Sequence, residues 1–114
     1  MSRARRSADE LIAEALEHFS RAVDYSHRDL SDQLTLDAVA MRLSAGIETL
    51  TYVDDVVLMR ILGEQWRSMR GMRNRLAHGY AFIDAVVVRT TVERNLPPVV
   101  EALESHLNKN GWCR

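Results

Sequence analysis

Apolar residues recur at intervals of three and four through the first half of the chain, which is the period of an amphipathic helix. One apolar stripe covers residues 11–23 and a second covers residues 36–50, each opposed by charged side chains. Ser7 and Glu10 have the spacing of a capping box, which predicts a helix start just before the first stripe. The pattern therefore predicts two amphipathic helices, joined by a polar connection at residues 28–33.

The second half of the chain shows the same period in shorter segments. The predicted helices cover residues 56–62, 64–78, 85–95 and 99–107. Asp54, Asp55 and Asp84 precede helices and suit their positive ends, whereas Gly63 and Gly79 suit helix ends.

Two features of this half test the helical interpretation. Pro97 and Pro98 must break, kink or restart the helix between residues 95 and 99. The valines at 86–88 favour a strand by propensity, but one strand would have no pairing partner in an otherwise helical chain. We therefore predict an all-α fold.

Length and composition limit the classes of protein that this chain can be. With 114 residues, of which 46% are hydrophobic and 27% charged, it is expected to form one domain over residues 1–114. Residues 1–6 are a basic tail and residues 110–114 a short C-terminal tail. The single cysteine, Cys113, permits no disulfide within the chain. With no signal peptide or membrane segment found, we expect a cytoplasmic protein.

Positive charge is concentrated in one stretch although the net charge is only -1. Residues 1–55 carry 6 arginines against 11 acidic residues, whereas residues 56–83 carry 5 arginines against one glutamate. The arginines of the basic stretch are Arg60, Arg67, Arg70, Arg73 and Arg75. They either bind a polyanion, since the guanidinium fork suits phosphate oxygens, or pair with the acidic first half of the chain.

Reactive side chains converge in residues 72–80, with the sequence MRNRLAHGY. Asn74 and His78 are four positions apart and share a helix face, and Arg73 has a stem long enough to bring its guanidinium towards the imidazole. This group combines an acid/base, a fixed cation and an amide that can orient them. The alternative for Arg73 and His78 alone is a surface arginine and a helix-capping histidine.

The string RNRLAHGY at residues 73–80 resembles the HepT-type branch of the HEPN superfamily, and its flanks at residues 71–72, 83–84 and 96–98 match as well. That family carries Arg, a polar residue, three variable residues and His, with Tyr two positions after the His. The matching positions of this chain are Arg73, Asn74, His78 and Tyr80.

The resemblance implies a HEPN-type bundle of four to five helices that forms a two-fold dimer. It implies a metal-independent ribonuclease toxin, with Arg73 and His78 catalytic and Asn74 supporting them. It also implies a partner, a small nucleotidyltransferase antitoxin of the MntA type, which neutralises the toxin by transferring AMP to Tyr80.

Elementary chemistry agrees with this implication. RNA cleavage without a metal needs a base for the 2′-hydroxyl, an acid for the leaving 5′-oxygen and positive charge for the phosphorane. One chain offers a single well-placed histidine, and a two-fold interface would bring two copies of Arg73 and His78 to one phosphate. Arg67, Arg70 and Arg75 are the expected RNA-binding residues.

Two other functions remain open from the sequence. The chain is alternatively a non-catalytic helical subunit that binds a nucleotidyltransferase and contributes substrate contacts, or a helical dimerisation module whose motif only packs. No metal or cofactor is expected, because His18, His27 and His106 lack the spacing of metal ligands.

Overall fold

The computed structural model describes residues 6–78 and 84–112, with the backbone alone at 77 and 78. Every regular element within these residues is helical, so the predicted all-α fold is confirmed. The elements are α1 (Ala8–Ser26), α2 (Gln33–Leu50), α3 (Asp55–Leu62), α4 (Glu64–His78), α5 (Ala85–Thr90), a π-helical turn (Thr91–Asn95) and α6 (Leu96–Lys109). Because the last three follow each other without a gap, the described chain forms five helical rods. None of the helices in the described ranges has the length and apolar character needed to cross a bilayer.

The predicted helix starts carry the expected caps. Ser7 and Glu10 form the capping box: the Ser7 hydroxyl accepts from the Glu10 amide at 3.1 Å, and the Ser7 amide donates to the Glu10 carboxylate at 3.0 Å. Asp54 accepts from the Val56 amide at 2.8 Å and so begins α3. Gly63 ends α3 at a φ of 60°, a backbone conformation that side chains with a Cβ rarely adopt.

The core is built around an antiparallel pair formed by α1 and α2. Glu14 lies beside Thr49 and Phe19 beside Gly46, so the two helices run in opposite directions. Phe19 is fully buried between them. Other large core side chains come from α2, α3, α4 and α6 and include Leu43, Ile47, Leu58, Trp66, Met69, Leu96 and Leu103.

The chain passes from α5 to α6 through a π-helical turn rather than a break. Pro97 and Pro98 occupy the first positions of α6, where their missing amide protons cost least. Just before them the Leu96 amide donates to the Thr91 carbonyl, which is the wider i to i+5 bond of a π-helix. Of the outcomes expected from the two prolines, the structure shows a restarted helix.

The three valines at 86–88 lie in α5, the first part of this continuous helical segment. Residues 85–90 are α-helical, and Val88 is completely buried, so the helical interpretation of the valine run is confirmed. At the far end of the rod, Trp112 folds back against the core from the segment that we assigned to a C-terminal tail.

We expect Gly46→Ala to lower the free energy of unfolding by about 1–3 kcal/mol, measured by urea denaturation. A Cβ at this position would lie 2.4 Å from a ring carbon of Phe19, and that ring is fully buried in the core. The clash exceeds the gain in helix propensity from glycine to alanine, which is about 1 kcal/mol.

Gly71→Ala is the matched control, because Gly71 also lies inside a helix but a Cβ there would meet nothing within 4 Å. It should stabilise the protein by about 0.5–1 kcal/mol. Equal effects of the two substitutions would refute the close approach of α1 and α2 at Gly46.

Candidate active site

Helix α4 carries the candidate catalytic residues and is anchored by three large side chains. Trp66, Met69 and Met72 lie on one stripe of the helix and are buried in the core. Because this stripe faces inward, Arg73 is half-buried at its edge and Asn74 faces solvent. The motif is thus presented at the C-terminal end of a helix whose rotation is set by the core.

Arg73 lies at the edge of the buried stripe and reaches towards α2. Its guanidinium forms an ion pair with the Glu48 carboxylate, and the two side chains are 34% and 40% exposed. Sequence reasoning missed Glu48, which is 25 positions away along the chain on a different helix. The only hint in the sequence was the contrast between the acidic first half and the basic stretch after it.

The Arg73–Glu48 pair lines a hollow of about 430 Å³ between α2 and α4. Asp37 and Ser44 of α2 add polar groups to its wall, and Leu76 of α4 adds an apolar one. Met41 lies at the mouth of the hollow and is 70% exposed, and Leu34, on the same helix, is 78% exposed. The face around the hollow therefore combines a cation with unusually exposed apolar side chains.

The remaining motif residues are described only in part. His78 is the last residue of α4, as predicted, and Asn74 is exposed one helical turn before it. The His78 side chain and the whole of Tyr80 lie outside the described residues. The predicted approach of Arg73 to His78 therefore stays a prediction, while the observed partner of Arg73 is Glu48.

The three arginines expected to bind RNA are all exposed, but they differ in their partners. Arg70 donates to Asp55 at 3.2 Å and lies over the Trp66 ring, with its guanidinium carbon 5.7 Å from the ring centre. Arg67 pairs weakly with Glu64 at 3.8 Å. For Arg75 the structure shows no ion pair with any described residue.

Pairing with the acidic half of the chain therefore accounts for part of the basic stretch. Asp55 and Glu48, both from that half, engage Arg70 and Arg73. Asp55 also accepts from the Trp66 indole at 2.7 Å, so its carboxylate joins the start of α3 to α4. Trp66 belongs to the core and is not a platform on which bases could stack.

Two of the other histidines, His18 and His106, have structural partners. His18 accepts from Arg42 at 3.1 Å, and its burial together with the Arg42 charge holds the His18 pKa below the usual value. His106 lies 2.9 Å from the Asp9 carboxylate and ties α6 to α1. Within residues 6–78 and 84–112, no three His, Cys, Asp or Glu side chains come together in a way that could hold a metal.

Comparison with known proteins identifies the family of this helical scaffold. A family model described as Ribonuclease HepT-like matches residues 12–106 of the 114, which span α1 through most of α6 and include the motif on α4. Neither the curated proteins nor the solved structures contain a significant match. The family match agrees with the all-helical fold and with the string at residues 73–80. The chain therefore belongs to the Ribonuclease HepT-like family.

Proposed function

We propose that this protein is a metal-independent endoribonuclease and the toxin of a toxin–antitoxin pair. The observation that carries the proposal is the position of Arg73. This residue lines the hollow between α2 and α4, and it lies five residues before His78 in the family motif. Arg73 would bind the scissile phosphate and stabilise the charge of the phosphorane. His78 would act as general acid or base, and Asn74 would orient the imidazole or the substrate.

The Arg73–Glu48 ion pair is compatible with phosphate binding. Both partners are more than a third exposed, and an exposed pair contributes at most about 1 kcal/mol. A phosphate can form a bidentate contact with the same guanidinium and so compete with the carboxylate. Glu48 would then hold Arg73 in place until RNA arrives.

The exposed arginines of α4 would guide RNA to this site. Arg67 and Arg70 each have one carboxylate partner, and Arg75 has none among the described residues. Their contacts to phosphates carry no sequence information, so they would contribute affinity that falls as salt rises.

We expect His78→Ala to reduce RNA cleavage by about 10²–10⁴-fold, because the substitution removes the proton-transfer group. Arg73→Ala should reduce it by about 10²–10³-fold through loss of charge stabilisation. Cleavage is measured on total RNA with the antitoxin absent and EDTA present, which also tests independence from divalent metals.

His27→Ala is the matched control, since His27 is an exposed histidine at the end of α1 and lies in no described site. It should cleave at the wild-type rate. Unchanged cleavage by His78→Ala, with helicity retained, would refute the proposed mechanism.

A two-fold dimer would complete the site, because one chain supplies one motif histidine while cleavage uses an acid and a base. The α2 face with Leu34 and Met41 supports this step, since it leaves large apolar side chains exposed beside the hollow that holds Arg73. Pairing two copies of this face would bury that apolar surface and bring the two motifs to one interface.

Met41→Glu should shift the protein to monomers in sedimentation velocity and abolish cleavage, because it places a carboxylate in the centre of the proposed interface. Val56→Glu is the matched control: Val56 is 66% exposed on α3, outside this face, and its substitution should leave both properties unchanged. A monomeric Met41→Glu protein that still cleaves RNA would contradict the shared site.

The proposed antitoxin is an MntA-type nucleotidyltransferase that modifies Tyr80. The Tyr80 phenol oxygen would attack the α-phosphorus of ATP, with loss of the phenol proton and release of pyrophosphate. Tyr80 is seven positions after Arg73 in the sequence. AMP attached to it would add bulk and negative charge to the motif, and both would oppose binding of an RNA phosphate.

With ATP and the nucleotidyltransferase, the intact mass should rise by one or more adenylyl groups, the first of them mapping to Tyr80, and cleavage should be lost. Tyr80→Phe should remain unmodified and escape neutralisation, because it lacks the attacking oxygen. Tyr52→Phe, which changes an exposed tyrosine of the described residues, should behave as wild type. Full neutralisation of Tyr80→Phe would contradict this route of control.

A further inference from the structure

A second surface feature lies on the other side of α4, away from Arg73 and α2. Two adjoining hollows of about 360 and 200 Å³ share Ser68, Met69 and Asn95 and together form a groove. One wall is α4, and the other is the rod formed by α5, the π-helical turn and α6. We refer to this feature as the α4–α6 groove.

The groove has an apolar floor and a polar rim. Met69 and Met72 provide buried thioether side chains at the floor, and Val87 continues this apolar surface. Thr90 and Asn95 contribute exposed hydrogen-bonding groups at the rim, on either side of the π-helical turn. This combination suits a flat, partly apolar ligand that also carries hydrogen-bonding edges, and π-helical turns often mark functional sites.

Positive charge predominates along the groove. Arg75 lines one end without a described ion pair, and Arg94 lines the other. Among the described residues that line the two hollows, Glu64 is the only one with a carboxylate, and it lies 3.8 Å from Arg67, which offsets its charge. A ligand of this groove should therefore carry negative charge along its length.

The groove and the hollow of Arg73 lie on opposite sides of α4, but Arg75 of the groove is close to His78 along the helix. Arg75 lies three residues before His78 on α4, which is roughly 4.5 Å along the helix axis. If RNA extends from the scissile phosphate at His78 towards the start of α4, the next nucleotide lies beside Arg75 and the following ones lie over the apolar floor of the groove. The spacing thus connects the two sites through one turn of one helix.

We propose that the α4–α6 groove binds unpaired nucleotides of the RNA next to the cleavage site. Their bases would fill the groove above its apolar floor, against Val87, and a backbone phosphate would contact Arg75. Paired bases cannot enter such a groove, so the substrate class is single-stranded RNA or an unpaired end. This inference rests on the proposed ribonuclease function and names the substrate that the function would take.

Ser68→Trp tests the groove, because Ser68 is exposed, belongs to both hollows and would be replaced by a side chain that fills them. Binding is measured by fluorescence anisotropy in a His78→Ala background, which stops cleavage. The probes are an eight-nucleotide single-stranded RNA and the same strand with abasic residues. We expect the Kd of the complete strand to rise by about tenfold and that of the abasic strand to stay unchanged.

Ser20→Trp is the matched control, since it places the same side chain at an exposed position of α1 outside the described hollows.

Arg75→Gln gives a second measurement that does not depend on filling the groove. It should reduce the slope of log Kd against log salt by about 0.7 for both probes, the change expected from one lost phosphate contact. Arg60→Gln, an exposed arginine of α3, should leave the slope unchanged.

Equal Kd values for Ser68→Trp and Ser20→Trp on the complete strand would overturn the groove as a nucleotide site. Equal affinity for single-stranded and duplex RNA would overturn it as well. Loss of antitoxin binding by Ser68→Trp with RNA binding intact would assign the groove to protein docking instead. If wild type binds RNA through the groove but does not cleave it, the groove stands and the ribonuclease proposal fails.

Discussion

Burial of Trp66, Met69 and Met72 fixes the rotation of α4 about its axis, and the candidate site depends on that rotation. With these three side chains in the core, Arg73 emerges on the side of α2 and Arg75 on the side of α5. Neighbouring residues in the sequence thus serve two separate surfaces. The apolar core therefore determines where the charged groups act, although it contributes no chemistry itself.

Electrostatic pairing modifies this arrangement without cancelling it. Glu48 engages Arg73 and Asp55 engages Arg70, so the acidic first half of the chain neutralises part of the basic stretch. The Arg70–Asp55 pair is exposed and the Arg73–Glu48 pair is partly exposed, so both are weak and a phosphate can compete for the arginine. The ion pairs thus hold the two arginines in defined positions on α4, and both arginines can still bind an anionic ligand.

Local patterns were sufficient to predict the helices and their starts. The period of apolar residues, the capping box at Ser7 and Glu10, and the acidic caps at Asp54 and Asp84 are short-range signals that act within one turn of helix. The prolines at 97 and 98 indicated a change of helix geometry, but they did not specify that it would take the form of a π-helical turn.

The candidate site could be predicted only to the extent that it is local. Arg73, Asn74 and His78 fall within six consecutive positions, so spacing and resemblance were enough to propose them. Glu48 and the α4–α6 groove could not be found in this way, because both arise where segments distant in sequence pack together. No pattern of one helix encodes which side chain of another helix will face it.

The joint between α3 and α4 makes this arrangement sensitive to chain length. Gly63 alone separates Leu62 from Glu64, so the two helices share a hinge of one residue with no slack. Because this joint holds the start of α4 in place, one residue inserted just after Trp66 would turn the rest of the helix by roughly 100° against the core. Such an insertion would carry the motif off its surface even though every side chain of α4 remained intact.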